Sequence, residues 1–425
     1  MEIVDENSSA ASRYAASLAA VALGASVPIL ILGRAGMAVA IAIAIIGLVV
    51  TSDRSRLVYD VTAAIKTPLG TAVAVTFALW LVSVIGSPEV ALSAKIWARM
   101  IALLVAAVAL VSLLRRAPHL HDLALKALIV TALAGAAVGL VTVLMWPDPL
   151  LSLRGHGANL DQANLAVSVL KSYGTAIACA MPVVLWAGWR MDARWRAPAV
   201  IFQFLALALL IVLESRAGLV AAAVGGGIFA CWFVWRIGRA WLIGAVALIM
   251  AAGIAIAFAT NERNNQIEAA LDLPIWLVDA HRQTIWDASL QRFTEAPIFG
   301  WGIDVIDKLP GANDIVPGSG VEFIPSHPHN WAIEVLAETG VVGFAAMSVA
   351  LIVLAVGGIR ATRRDGAPGA TLLAVCAIFF LVSLISYSFW AFWWQATFVL
   401  MASLAIAPLT PGLVSSSRSP KVTAT

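Results

Sequence analysis

The chain has 425 residues, of which 61% are hydrophobic and 12% charged, and its mean hydropathy is +0.93. A water-soluble domain carries roughly twice that share of charge, so the composition excludes a soluble globular protein and points to an integral membrane protein. A formal net charge of +3 offers no basis for nucleic-acid binding, and the charges inform only by where they lie.

The first dozen residues, Met1 to Ser12, are polar and acidic. They do not resemble a cleaved signal peptide, so the first apolar run is expected to be retained as a span. Crossing ~30 Å of hydrocarbon takes about 20 apolar residues. Runs of this kind occur near 15–33, 35–52, 69–87, 97–114, 125–146, 163–187, 198–213, 217–235, 240–259, 331–359, 368–388 and 389–408. They predict an all-α integral membrane protein of about twelve transmembrane helices with one large loop. Very tight turns are expected within the first pair and the last pair, and only Glu214-Ser215-Arg216 separates 198–213 from 217–235. The implied organisation is a first transmembrane region over 1–259, a loop over 260–330, a second transmembrane region over 331–408 and a short tail over 409–425.

Charge then orients the chain. Arg13, Arg54, Arg56, Lys66, Arg115, Arg116, Lys126, Arg190, Arg194, Arg196, Arg236, Arg239, Arg360, Arg363, Arg364, Arg418 and Lys421 are most of its 27 basic residues, and they fall on one side. Basic loops stay in the cytoplasm, so both termini are expected there, with the Glu214–Arg216 turn, the 147–162 loop and the 260–330 loop facing outward. The long loop is too long to be structureless in a compact protein. A helix is predicted over His281 to Glu295, with Arg282, Trp286 and Phe293 close to one face. Such a helix would rest at the membrane interface. Asp304 and Asp314 lack metal-ligand spacing and read as solvated loop carboxylates. Cys179, Cys231 and Cys376 lie in apolar runs and read as small packing residues.

Three residues on the outward side carry chemistry. Arg216 sits at the edge of hydrocarbon, where it either snorkels, pairs with Glu214 or meets an anion. Arg282 opens the loop helix. His329 follows Pro328 at the N-terminal boundary of the 331–359 span, with Asn330 beside it. The positive end of that helix and nearby arginines would keep His329 neutral and able to accept a proton. Paired arginines offer forked hydrogen bonds to phosphate oxygens. Together these residues describe an anion clamp next to a base.

The spacing is specific. His329-Asn330, nine residues and then Gly340, with Gly343 following, resembles the signature of the O-antigen ligase and polymerase superfamily. Arg154-Gly155 with Asn164-Leu165-Ala166, Ser215-Arg216, and Arg282 with Gly300-Trp301-Gly302 resemble further motifs of that family in chain order. The resemblance covers roughly residues 150–350. It implies transfer of a glycan from undecaprenyl diphosphate to an acceptor hydroxyl at the periplasmic face of the bacterial inner membrane, without metal or other cofactor and with inversion. The reading favoured within it is O-antigen ligation to lipid A-core. A repeat-unit polymerase is the alternative, and a lipid-linked oligosaccharide transporter is a third. On this resemblance His329 would be the base. Arg216, Arg282, Arg154, Asn164, His327 and Asn330 would contact substrate, and Gly340 and Gly343 would be structural. His327 is a rival to His329, and the interval to Gly340 selects between them. Gly340 falls only ~20° around a helix from His329, so a small face there would admit a neighbouring helix and fix the angle of the histidine.

Overall fold

The computed structural model describes residues 10–51, 54–156, 162–239, 243–244, 270–271, 273–274, 278–317 and 320–410. The regular structure of these residues is helical, apart from one isolated antiparallel bridge between Ile315 and Glu322. In chain order the helices are α1 (Ala10–Ala25), α2 (Arg34–Thr51), α3 (Arg54–Ile65), α4 (Pro68–Ile85), α5 (Val90–Arg116), α6 (Pro118–Leu144), α7 (Asp148–Leu153), α8 (Gln162–Arg190), α9 (Arg196–Val212), α10 (Arg216–Arg236), α11 (Ala280–Glu295), α12 (Trp331–Asp365), α13 (Ala367–Ser383) and α14 (Phe392–Ile406). Seven of them, α4, α5, α6, α8, α9, α10 and α12, are long and apolar enough to cross a membrane. Shorter apolar stretches form α13, α14 and most of α2. The chain is a multi-pass membrane protein, and α8 is the most enclosed of its long spans.

Local chemistry sets the boundaries. Thr67 caps α4 by accepting the Gly70 N–H, and Pro68 occupies the first turn, where its missing N–H costs nothing. Asp279 caps α11 by accepting the Arg282 N–H at 2.9 Å. The predicted run at 240–259 lies outside the described residues except for 243–244. Two local expectations fail. Residues 54–65, taken as loop, form the charged helix α3, whose Asp60 pairs with Arg116 of α5. The last two spans are not joined by a tight turn: α13 ends at Ser383, and an unwound segment over 384–391 precedes α14. Hydropathy hides that break because Ile385, Tyr387, Phe389 and Trp390 continue the apolar run.

Among the described residues, Arg115, Arg190 and Arg364 lie at the opposite end of the bundle from the unwound 384–391 segment. At one end Arg115 donates to the carbonyls of Ile406 and Ala407, Arg190 pairs with Asp122, and Arg364 pairs with Asp365. At the other end the 384–391 segment meets α11, the start of α12 and α8.

The loop before α12 has a core of its own. Ile306, Ala312, Ile324 and Ala337 pack together, and Ala288 and Phe293 of α11 pack against them. Phe293, on the face of α11 that also carries Arg282 and Trp286, is therefore used in part inside the loop.

Gly340 breaks α12. Its φ is 64° and its ψ is −177°, a conformation open essentially to glycine alone. The break exposes main-chain groups that the loop uses. Trp301 and Gly302 donate to the carbonyls of Ala337 and Glu338, and Val341 donates to that of Pro297 at 2.9 Å. The surface Gly340 meets is loop backbone, since a Cβ there would lie 2.2 Å from the Ile298 carbonyl oxygen. The expected continuous helix with a neighbouring helix against Gly340 is thus replaced by a kink docked on residues 297–302. The close helix approach occurs at Gly343, where a Cβ would lie 2.8 Å from Trp80 of α4. Gly340→Ala is expected to destabilise the protein by at least the about 1–3 kcal/mol of such a backbone, read as a lower midpoint in thermal or denaturant unfolding in detergent.

Candidate functional site

The unwound 384–391 segment organises the site through its main chain. Arg282 donates from Nη1 to the Ile385 carbonyl at 2.8 Å, and the Nδ1 of His329 lies 2.6 Å from the Ser386 carbonyl oxygen. A carbonyl has no proton to give, so His329 Nδ1 carries the hydrogen and Nε2 is left with a lone pair. His329 also has a left-handed backbone, φ 53°, unusual for a non-glycine residue. That turn is held by the His329 N–H donating to His327 Nδ1 at 3.1 Å and by Trp286 Nε1 donating to the Pro328 carbonyl at 2.8 Å.

The two histidines are thereby distinguished. Their ring centroids are 4.1 Å apart. His327 spends Nδ1 on a backbone hydrogen bond, so its remaining nitrogen is a donor. Burial, followed by His329 and Arg282, lowers its pKa to about 3. His329 is lowered as well, chiefly by burial, with Arg282 adding to the effect and the Ser386 carbonyl opposing it. The direction agrees with a neutral imidazole, although burial and not the helix terminus is the main cause.

Asn330 caps α12: its Oδ1 accepts the N–H groups of Ala332 at 3.0 Å and Ile333 at 3.4 Å. Only its carboxamide nitrogen is left over for a ligand.

Arg282 is half-buried and paired at Nε with Asp279 at 3.4 Å. Burial lowers its pKa first; Asp279 opposes this, and Arg216 lowers it further, so the two arginines are close enough to repel. A guanidinium remains charged regardless. Arg216 opens α10 directly after the cap Ser215. Among the described residues Arg216 makes no ion pair with Glu214, so that alternative use of its charge is not realised. Ser215 also lies 3.4 Å from Thr175, whose hydroxyl is 3.2 Å from Tyr387 of the unwound segment. This ties the Ser-Arg turn to the histidine's support.

Arg154 and Asn164 stand further off. Arg154 donates to the Val169 carbonyl at 3.1 Å, and burial, then Arg34, lowers its pKa. Asn164 is exposed at the start of α8. No hydrogen bond or ion pair among the described residues joins Arg154 to His329, Arg216 or Arg282. Asp304 is not a solvated carboxylate: it is half-buried with φ 61°, and burial followed by Asp307 raises its pKa to about 6. Asp314 is exposed, as expected.

Four further residues of the site have no role in the side-chain motifs. Ile385 and Ser386 act through carbonyls, which no side-chain motif reports. Glu334 and Glu338 are each 1% exposed. Glu338 accepts the consecutive N–H groups of Asp304, Val305 and Ile306 at 2.7, 3.0 and 3.1 Å, and the Trp390 indole N–H. Glu334 accepts the Ser388 hydroxyl at 2.6 Å and the Phe389 N–H at 2.8 Å. The visible signal was two carboxylates four residues apart at the mouth of an apolar helix, which puts both on one face.

This geometry defines a class: a multi-pass membrane protein with a half-buried histidine and Arg282 held on one unwound segment, and Arg216 neighbouring Arg282, at one end of its helix bundle. Residues 201–348 match the family model described as O-Antigen ligase, and the family resemblance is shown over that segment. The match takes in Ser215-Arg216, Arg282, Gly300 to Gly302 and His329 to Gly343, and leaves out Arg154 and Asn164. No curated protein matches the chain. Asn330→Ala is expected to cost about 1 kcal/mol of stability through loss of the cap, measurable as a reduced unfolding midpoint.

Proposed function

We propose that the protein transfers a glycan from undecaprenyl diphosphate to an acceptor hydroxyl at the periplasmic face, and that the reaction is ligation of O-antigen to lipid A-core. The observation that carries this reading is His329, whose Nδ1–H is committed to Ser386 while Nε2 remains a base near Arg282, which in turn has Arg216 as its neighbour. The acceptor oxygen forms a bond to the anomeric carbon as that carbon's bond to the diphosphate oxygen breaks. The hydroxyl proton passes to His329 Nε2. The departing electron pair stays on the diphosphate, where Arg216 and Arg282 balance the growing charge. Attack from the face opposite the leaving group inverts the anomeric centre. His327 offers a donor to the same anion, and Asn330 its carboxamide nitrogen. Arg154 and Asn164 take a more distant part of the glycan or lipid headgroup.

The proposed topology has about twelve spans, both termini in the cytoplasm, and the 260–330 segment outside. It is supported by the placement of the basic loops and the site at opposite ends of the bundle. In a cysteine-free background, Asn313→Cys should react with a membrane-impermeant thiol reagent added to the periplasm, and Arg194→Cys should not. The reverse pattern overturns the orientation.

His329→Ala should lower the rate by about 10²–10⁴-fold in proteoliposomes supplied with lipid-linked glycan and lipid A-core. Full activity at normal protein level removes His329 as the base. Because its pKa lies below the ordinary imidazole value, the neutral base persists at pH 7. The acidic limb of the rate profile should therefore fall below the usual range near 6.5. Arg216→Lys should lose roughly 10–100-fold, the worth of a charge-assisted hydrogen bond, because a point charge cannot make the forked contact. Wild-type transfer by the lysine variant would reduce Arg216 to a simple charge.

A further inference from the structure

Glu334 touches neither His329 nor the arginines, yet it grips the segment that orients them. Its Oε1 accepts the Ser388 hydroxyl at 2.6 Å and its Oε2 the Phe389 N–H at 2.8 Å. Ser388 in turn accepts the Trp390 N–H at 3.1 Å. Two residues earlier on the same segment, Ser386 accepts from His329 and Ile385 from Arg282. Glu334 stands on the first turn of α12, where its N–H donates to the Asn330 carbonyl at 3.0 Å. The turn at His329 and the first turn of α12 therefore hold the 384–391 segment at two points, through His329 at Ser386 and through Glu334 at Ser388 and Phe389.

We propose that Glu334 is a positioning residue: by fixing Ser388 and Phe389 it places the Ser386 carbonyl against His329 Nδ1, and so sets which ring nitrogen faces the substrate. A free imidazole does not choose its tautomer this firmly; a carbonyl at one nitrogen does. The same hold keeps the Ile385 carbonyl under Arg282, so base and cation are set together. The role needs hydrogen-bond acceptors at position 334 and needs neither a charge nor a proton there.

The inference rests on the reading of His329 as the base, and the test separates the two. Histidine side-chain ¹⁵N spectra of the full-length protein in detergent would be recorded beside transfer rates in proteoliposomes. The wild type should show His329 protonated at Nδ1. Glu334→Leu removes both acceptors and strands two buried donors, so the His329 signals should move towards a mixture of tautomers while the transfer rate drops. Ser388→Ala, a smaller change that tolerates folding better, should move both readouts in the same direction but less far. Glu334→Gln should preserve the tautomer and the greater part of the rate, because its one oxygen still accepts the Phe389 N–H and the Ser388 hydroxyl can turn to accept from the amide. An unaltered His329 tautomer in folded Glu334→Leu and Ser388→Ala overturns the proposal. So does a glutamine variant as inactive as leucine, which would show that the carboxylate's charge or proton is required. A tautomer change with undiminished transfer supports the positioning role and refutes His329 as the base.

Discussion

Unwound main chain inside a membrane protein must find hydrogen-bond partners, because hydrocarbon supplies none. The 384–391 segment is such a stretch, and the site consists largely of the groups that answer it. Arg282 serves the Ile385 carbonyl, His329 that of Ser386, Gln395 that of Phe389 and Arg99 that of Trp390, while Glu334 takes the Phe389 N–H. Side chains from α5, α11, the mouth of α12 and α14 are thus drawn to one place by a shared backbone need. The histidine's tautomer follows from that need.

A second hold runs parallel to the first. Gly340 interrupts α12, and its freed carbonyls take N–H groups from the Gly300–Gly302 turn. Glu338 closes the arrangement from the side-chain direction by collecting three successive N–H groups of residues 304–306 and the Trp390 indole. A buried carboxylate without donors would be severely destabilising; here four donors meet it. Trp390 belongs to the unwound segment, so Glu338 also ties the outer loop to that segment. Glu334 and Glu338, one turn apart, brace the same structure from one helix face.

Much of this was legible in the residues. Apolar length located the long spans, Pro328 before His329-Asn330 located the cap, and the interval to Gly340 singled out His329 from His327, two residues whose rings the hydrogen bonds use differently. What stayed hidden had physical causes. Hydropathy is blind to whether an apolar stretch is wound, so Ile385 to Trp390 read as helix although Ser386-Tyr387-Ser388 interrupts the run with three hydroxyls. Periodicity assumes an unbroken helix, so it placed Gly340 on a face when it is a kink. The half-burial of Asp304 belongs to the folded loop, where its N–H donates to the Glu338 carboxylate of α12, and no spacing within residues 300–314 reports that contact.

Ile385 and Ser386 contribute by carbonyl oxygen, and every amino acid has one. Their side chains could therefore drift widely while the geometry they impose on His329 and Arg282 persisted. A comparison that scores positions by the identity of their side chains would pass over the two carbonyl oxygens that hold His329 and Arg282. The demanding position is the one after them: a proline at 387 would confine Ser386 to extended backbone and turn its carbonyl away. In this protein the grammar of the site is written partly in peptide units, with the side-chain motif as its visible half.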